Sequence, residues 1–136
     1  MIGVLILTHG KLADGLKNSV EMIMGQNDSF NTLGLYEGDD FTEFKEKVLE
    51  QICELDSGEG VIVLVDLFGA SPYNSVMFNY QEIKRREKIV RLITGVNLPM
   101  VIESLNARNY TSIDKLYEEV MQMGINNIKG FNGEFK

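Results

Sequence analysis

The chain has one histidine, His9, which closes the aliphatic run Ile2-Gly-Val-Leu-Ile-Leu-Thr8 just before Gly10. A second aliphatic run, Val61-Ile-Val-Leu-Val65, ends in a carboxylate, Asp66, and leads into Leu67-Phe-Gly-Ala-Ser-Pro72. An imidazole can act as general base, metal ligand or nucleophile. As a nucleophile it needs its other ring nitrogen held in one tautomer, commonly by a carboxylate or carbonyl. Asp66 is the candidate for that role, because a carboxylate buried at a strand end is costly without a donor or a cation. Gly69 and Ala70 leave room for an anion to approach the backbone, and Ser71 adds a hydroxyl. A helix opening at Ser71-Pro72 would offer free N–H groups and partial positive charge. A nucleophilic nitrogen, an orienting carboxylate and an anion cradle together suit phosphoryl transfer onto the imidazole. A phosphohistidine donor would need no metal ion, since its leaving group is already activated.

Each of these residues has a plainer alternative. His9 could be a strand-end histidine bonded to nearby backbone, Asp66 a turn cap, and Ser71 an ordinary N-cap. Three other chemistries fit worse. A histidine phosphatase would need an Arg where Thr8 stands and a second histidine. A receiver domain with Asp66 as acceptor would need an acidic pair after the first strand to hold Mg²⁺. A Ser-His-Asp hydrolase built on Ser71 would need a GxSxG elbow, and none is present.

The elements that must position these residues follow from periodicity. Strands are expected at Ile2–His9, Phe30–Tyr36, Val61–Asp66 and Ile89–Ile93, each short and mostly apolar. Between them, Leu12, Leu16, Val20, Ile23 and Met24 recur at helical spacing, with Gly25 as a stop. Phe41, Phe44, Val48, Leu49, Ile52 and Leu55 form a second stripe, opened by an Asp40–Glu43 capping box. A third helix runs from Ser71-Pro72 through Val76, Tyr80 and Ile83 to the basic end Lys84–Lys88. Pro99 opens a short helix to Ala107. Ser112 caps a last one that should stop at Gly124, and weak strand character follows around Asn127 to Phe131. Strands alternating with helices imply right-handed crossovers and an α/β, doubly wound, mostly parallel four-stranded sheet with helices on both faces. The simplest order is 2-1-3-4, whose switch point lies between the strands that end in His9 and Asp66.

Totals narrow the function. The 136 residues suit a single domain over 1–136, 44% hydrophobic and 24% charged. A net charge of −7 without a basic block argues against nucleic acid or an anionic membrane as partner. The N-terminal run is too short to span a membrane and lacks the features of a signal peptide, so a cytoplasmic location and no direct membrane insertion are expected. One cysteine, Cys53, and one histidine make a metal site improbable, and no cofactor-loading motif is present. No metal and no cofactor are expected.

Three segments, Ile6-Leu-Thr-His-Gly10, Val65-Asp-Leu-Phe-Gly-Ala-Ser-Pro-Tyr-Asn74 and Gly95-Val-Asn-Leu-Pro-Met100, resemble the enzyme IIA component of mannose/fructose/sorbose-type sugar phosphotransferase systems. The resemblance covers nearly the whole chain. It implies that His9 accepts a phosphoryl group on Nε2 from the phosphocarrier HPr and passes it to enzyme IIB, for sugar uptake and phosphorylation. It implies that Asp66 holds Nδ1 and that Gly69, Ala70 and Ser71 receive phosphate oxygens. Thr8, Gly10, Phe68, Asn97 and Pro99 are then expected at the pocket or on the partner surface. It also implies a homodimer exchanging a C-terminal strand, for which Asn127 to Phe131 is the candidate. With no Ala/Pro-rich linker before Lys136, IIB is expected as a separate protein. The phosphotransferase subunit of dihydroxyacetone kinase systems, with a similar strand-1 histidine, is the related alternative. A non-catalytic anion-binding regulatory module on the same scaffold is the alternative from another class.

Overall fold

The centre of the sheet is the run Gly3–His9, strand β1, whose first six residues are buried. In the computed structural model, which describes residues 1–135, β1 pairs in parallel with two neighbours, Phe30–Leu35 (β2) and Val61–Val65 (β3). Val90–Ile93 (β4) pairs in parallel with β3, so the order is β2-β1-β3-β4, as the crossover argument requires.

Pleating sorts the aliphatic runs onto two faces, because successive side chains of a strand point opposite ways. Val4 and Ile6 of β1 and Ile62 and Leu64 of β3 face one core. That core is closed by helix α1 (Leu12–Met24) and by the last two helices, Leu98–Ala107 and Ile113–Asn126. Leu5 and Leu7, with Val61, Val63 and Val65, face the other. There helix α2 (Phe41–Leu55) brings Phe44, Val48, Ile52 and Leu55, and helices α3 (Ser71–Met77) and α4 (Tyr80–Arg85) bring Val76 and Ile83. Helices on both faces make the sheet doubly wound. The last two helices are α5 and α6 in chain order.

Two local expectations are corrected. The helix predicted to continue from Pro72 through Ile83 is two helices. Buried Asn79 separates them: its amide donates to the Ser75 carbonyl at 2.8 Å and to the Lys45 carbonyl of α2 at 2.9 Å. An Asn side chain that bonds nearby backbone competes with the helix ladder, and here the Asn79 N–H turns to Val76. Helix α6 does not stop at Gly124 but runs on to Asn126. Gly124 stays helical because a Cβ there would lie 2.6 Å from Met100 Cγ, so the glycine serves helix packing, not termination. Among the described residues the tail after α6, expected to form a strand exchanged between two copies, pairs with no strand of its own chain. A strand satisfies its backbone through a neighbour, and the tail is solvated instead, with Ile128, Phe131 and Phe135 all exposed.

At the amino end of the sheet, away from His9, the guanidinium of Arg108 is buried at the end of α5. It donates to the carbonyls of Ile2 (3.2 Å), Ser29 (3.1 Å) and Asp28 (2.6 Å). These bonds fasten α5 to the starts of β1 and β2 and hold Ser29, whose φ is +50°. Arg108→Met strands these acceptors without a donor, so it is expected to lower stability in urea unfolding by about 2 kcal/mol or more.

Candidate functional site

Strand β3 ends one residue before Asp66, while β1 continues to His9. The Asp66 side chain therefore takes over where the ladder stops. One carboxylate oxygen, Oδ2, accepts the backbone N–H of His9 at 2.8 Å and lies 2.7 Å from His9 Nδ1. The other, Oδ1, accepts the N–H of Leu67 at 2.9 Å. The Asp66 side chain is 11% exposed and the His9 side chain 49%. Burial pushes the Asp66 carboxyl up. The His9 backbone N–H, the His9 ring and the Leu67 N–H outweigh that push, and together they hold it below the usual carboxylate range. Asp66 is thus an ionised, acceptor-only group at neutral pH, so the proton between the two side chains sits on Nδ1. In the neutral ring the lone pair is then on Nε2, and the ring is half open to solvent.

The segment after Asp66 leaves the sheet at the same end. Gly69 has φ +77°, a conformation that favours glycine. Ala70 is extended at the N-cap, so Ser71 is the first helical residue instead of the cap that its type suggests, and Pro72 is the second. Among the described residues, the N–H groups of Gly69, Ala70 and Ser71 donate to no oxygen of the chain. Helix α3 has only seven residues, so any attraction for an anion comes from these first-turn N–H groups and the Ser71 hydroxyl. Leu67 and Phe68 are exposed, and the Phe68 ring packs against Tyr73 with centroids 4.9 Å apart. Phe68 and Tyr73 also wall a cavity of about 420 Å³, with Met77, Leu92, Tyr117 and Met121.

The other expected site residues lie at varied distances from the pair. Thr8 is fully buried and not at the surface. It precedes His9 by one residue and so faces the opposite side of the sheet, where its hydroxyl accepts the N–H of Ala13 at 2.8 Å. That bond satisfies a donor in the first turn of α1. Gly10 sits beside the pair, with φ +55° and its N–H on the Leu35 carbonyl at 2.8 Å. Asn97 caps α5, accepting from the Met100 N–H, and its amide donates to the Gly124 carbonyl of α6. Pro99 lies in the first turn of that helix. Asn97 and Pro99 make no hydrogen bond to His9 or Asp66. Their loop acts from behind, since the N–H groups of Gly95 and Val96 donate to the carbonyls of Asp66 and Val65.

Two contributing residues escaped the sequence argument. Gly34 of β2 passes so close to the His9–Gly10 turn that a Cβ there would collide with the Gly10 carbonyl and meet the Tyr36 ring at 3.1 Å. A glycine inside a strand was the available signal, since it often marks close backbone approach. Asn74, in α3, donates to the Gly69 carbonyl at 3.1 Å. Among the described residues, no group of three or more His, Cys, Asp and Glu side chains could hold a metal ion, and no helix is long and apolar enough to cross a membrane.

Two outcomes follow from this geometry. A carboxyl whose pKa is lower in the folded state adds stability that is complete above its unfolded pKa and is lost as pH falls through the folded value. Asp66→Asn is therefore expected to cost stability at neutral pH, with the gap to the parent closing below about pH 4. Urea titrations across pH 3–7 check this, and parallel curves would disprove it. Gly34→Ala is expected to displace the His9–Gly10 turn at a cost of about 1–3 kcal/mol. Thermal unfolding reads the cost, and the His9 imidazole resonances read the displacement.

Residues 3–121 match the EIIA-man family, described as PTS system fructose IIA component. The chain is 31% identical over 134 residues to the PTS system mannose-specific EIIAB component of Escherichia coli (strain K12), covering 98% of this chain and 40% of that protein. It thus spans about two fifths of that relative's length. It is 29% identical over 123 residues to the PTS system fructose-specific EIIA component of Bacillus subtilis (strain 168), covering 90% of this chain and 82% of that one. Among solved structures it superposes on the PTS IIA protein associated with the fucose utilization operon from Streptococcus pneumoniae. There the TM-score is 0.81 and the identity 31%, over 94% of this chain and 91% of that one. Family match, sheet order and a histidine at the switch point agree, and this chain belongs to the EIIA-man family of phosphotransferase-system IIA components.

Proposed function

We propose that this chain is a cytoplasmic phosphoryl carrier, a single IIA domain over residues 1–136, that relays a phosphoryl group from HPr to enzyme IIB through phosphohistidine at His9. The observation that carries the reading is the 2.7 Å contact between His9 Nδ1 and Asp66 Oδ2. It leaves Nε2 as the nucleophile. In the transfer, a bond forms between Nε2 and phosphorus while the P–N bond of the donor phosphohistidine breaks. The electron pair of that bond leaves with the donor ring, which becomes neutral. The positive charge moves to the His9 ring, where the Asp66 carboxylate balances it. The free N–H groups of Gly69, Ala70 and Ser71, with the Ser71 hydroxyl, are suited to the phosphoryl oxygens, whose charge spreads as the group passes. Onward transfer to IIB reverses these roles. A small-molecule sugar has no part in this step, and the half-exposed ring suits a visiting protein.

The exposed Leu67 and Phe68 belong to the docking surface in this reading. The tail fits a homodimer: β4 is an edge strand, and a tail from a second copy could add beside it.

Incubation with phosphoenolpyruvate, enzyme I and HPr is expected to add one acid-labile phosphoryl group by mass, and His9→Ala should add none. Asp66→Asn is expected to slow transfer by roughly 100-fold with the fold retained. Labelling of His9→Ala at the parent level, or an unlabelled parent, would overturn the assignment.

A further inference from the structure

The anion cradle has a polarity that its backbone alone does not set. Gly69, at φ +77°, leaves the Gly69–Ala70 peptide free to rock, since no Cβ restrains the bond before it. In one orientation the peptide offers an N–H to an incoming anion. In the other it offers a carbonyl, which repels it. The Asn74 amide lies 3.1 Å from the Gly69 carbonyl. A carbonyl only accepts, so the amide must present its NH₂ group there. The peptide is trans, as are all those in the described chain, so its C=O and N–H point opposite ways. Holding the carbonyl on the Asn74 side therefore turns the Ala70 N–H to the other side, and that N–H has no acceptor within the described residues.

We infer that Asn74 is a positioning residue for phosphoryl transfer, locking the Gly69–Ala70 peptide with its N–H outward so that the cradle is set before the anion arrives. Asn74 itself touches neither His9 nor Asp66 by hydrogen bond. It stands on the helix that follows the loop, and its own backbone N–H donates to the Ala70 carbonyl at 2.9 Å. The residue thus grips the loop on two successive carbonyls, of Gly69 through the side chain and of Ala70 through the backbone. Substitution at this position leaves the backbone bond in place and removes only the bond from the side chain. Asn74→Asp keeps the shape but carries no donor, so it should release the Gly69 carbonyl as Asn74→Ala does.

This inference rests on the phosphoryl-carrier reading, and the experiment separates the two. Nitrogen-15-labelled parent, Asn74→Ala and Asn74→Asp are each phosphorylated in two ways, by phospho-HPr and chemically by phosphoramidate, which needs no protein donor. The readouts are the Ala70 amide proton shift on phosphorylation, and kcat and KM for transfer from phospho-HPr. In the parent, the Ala70 proton should move downfield by either route. In both variants that shift should be lost and kcat should fall roughly 10- to 100-fold, less than removal of an oxyanion donor costs at its worst, with KM and melting temperature near the parent values. If Asn74→Ala and Asn74→Asp keep both the Ala70 shift and the parent kcat, the inference is overturned while the carrier reading stands. If only phosphoramidate labels His9 and the parent-versus-variant contrast persists, HPr is the wrong donor and the role of Asn74 holds. If neither route labels His9, both fall.

Discussion

One carboxylate sets the terms for this molecule. Asp66 accepts N–H groups from the His9 backbone, from the adjoining Leu67 and, at the ring, from His9 Nδ1. A carboxylate brought out of water needs such donors, and here they come from the end of the neighbouring strand. The same bonds that make its burial tolerable splice β1 to the chain beyond β3 and choose the imidazole tautomer. Sheet structure and imidazole tautomer are therefore not separable at this residue: the group that completes the sheet's ragged edge is the one that holds Nδ1.

The surrounding elements hold that arrangement from several sides. Behind Asp66, the N–H groups of Gly95 and Val96 pin the carbonyls of Asp66 and Val65. Below His9, the Thr8 hydroxyl anchors the start of α1. Beside it, Gly34 lets β2 come close to the His9–Gly10 turn, where any side chain would push it away. After Asp66, Gly69 turns the chain and Asn74 holds the turn. The His9 ring is half exposed while the carboxylate that holds it is largely buried, a combination that suits chemistry on a group delivered by another macromolecule. A small substrate would need enclosure of its own, and the cavity walled by Phe68 and Tyr73 is lined chiefly by apolar side chains and not by the His9 pair.

Much of this was legible before any coordinates. Aliphatic runs at 61–65 and near the N-terminus, helical stripes between them and caps at Asp40 and Ser112 are local signals; both residues cap their helices, accepting the Glu43 and Lys115 N–H groups, although among the described residues the return bond from the Glu43 side chain that would complete a capping box does not form. The same local logic misplaced Ser71, which lies one residue inside its helix, and extended one helix across Asn79. Asn79 is persuaded to break the helix by the Lys45 carbonyl, 34 positions earlier in the chain. Thr8, expected from the resemblance at the pocket or partner surface, is buried on the face opposite His9, because a strand sends neighbours to opposite faces. Gly124 looked like a stop because nothing in its own helix reveals Met100 beside it.

The sequence by itself determined the four strands and the helices between them apart from the break at Asn79, the chain positions that carry His9 and Asp66, and, through three motifs, the family. Those signals act within a few residues, through hydrophobic period and cap chemistry, and they survive in a one-dimensional reading. Only the tertiary structure decided which side chains share a face, which glycine must stay bare and which ring nitrogen is left free. Those outcomes depend on strand register and on contacts between residues tens of positions apart, as with the 57 that separate His9 from Asp66. Such contacts exist only once the sheet has assembled.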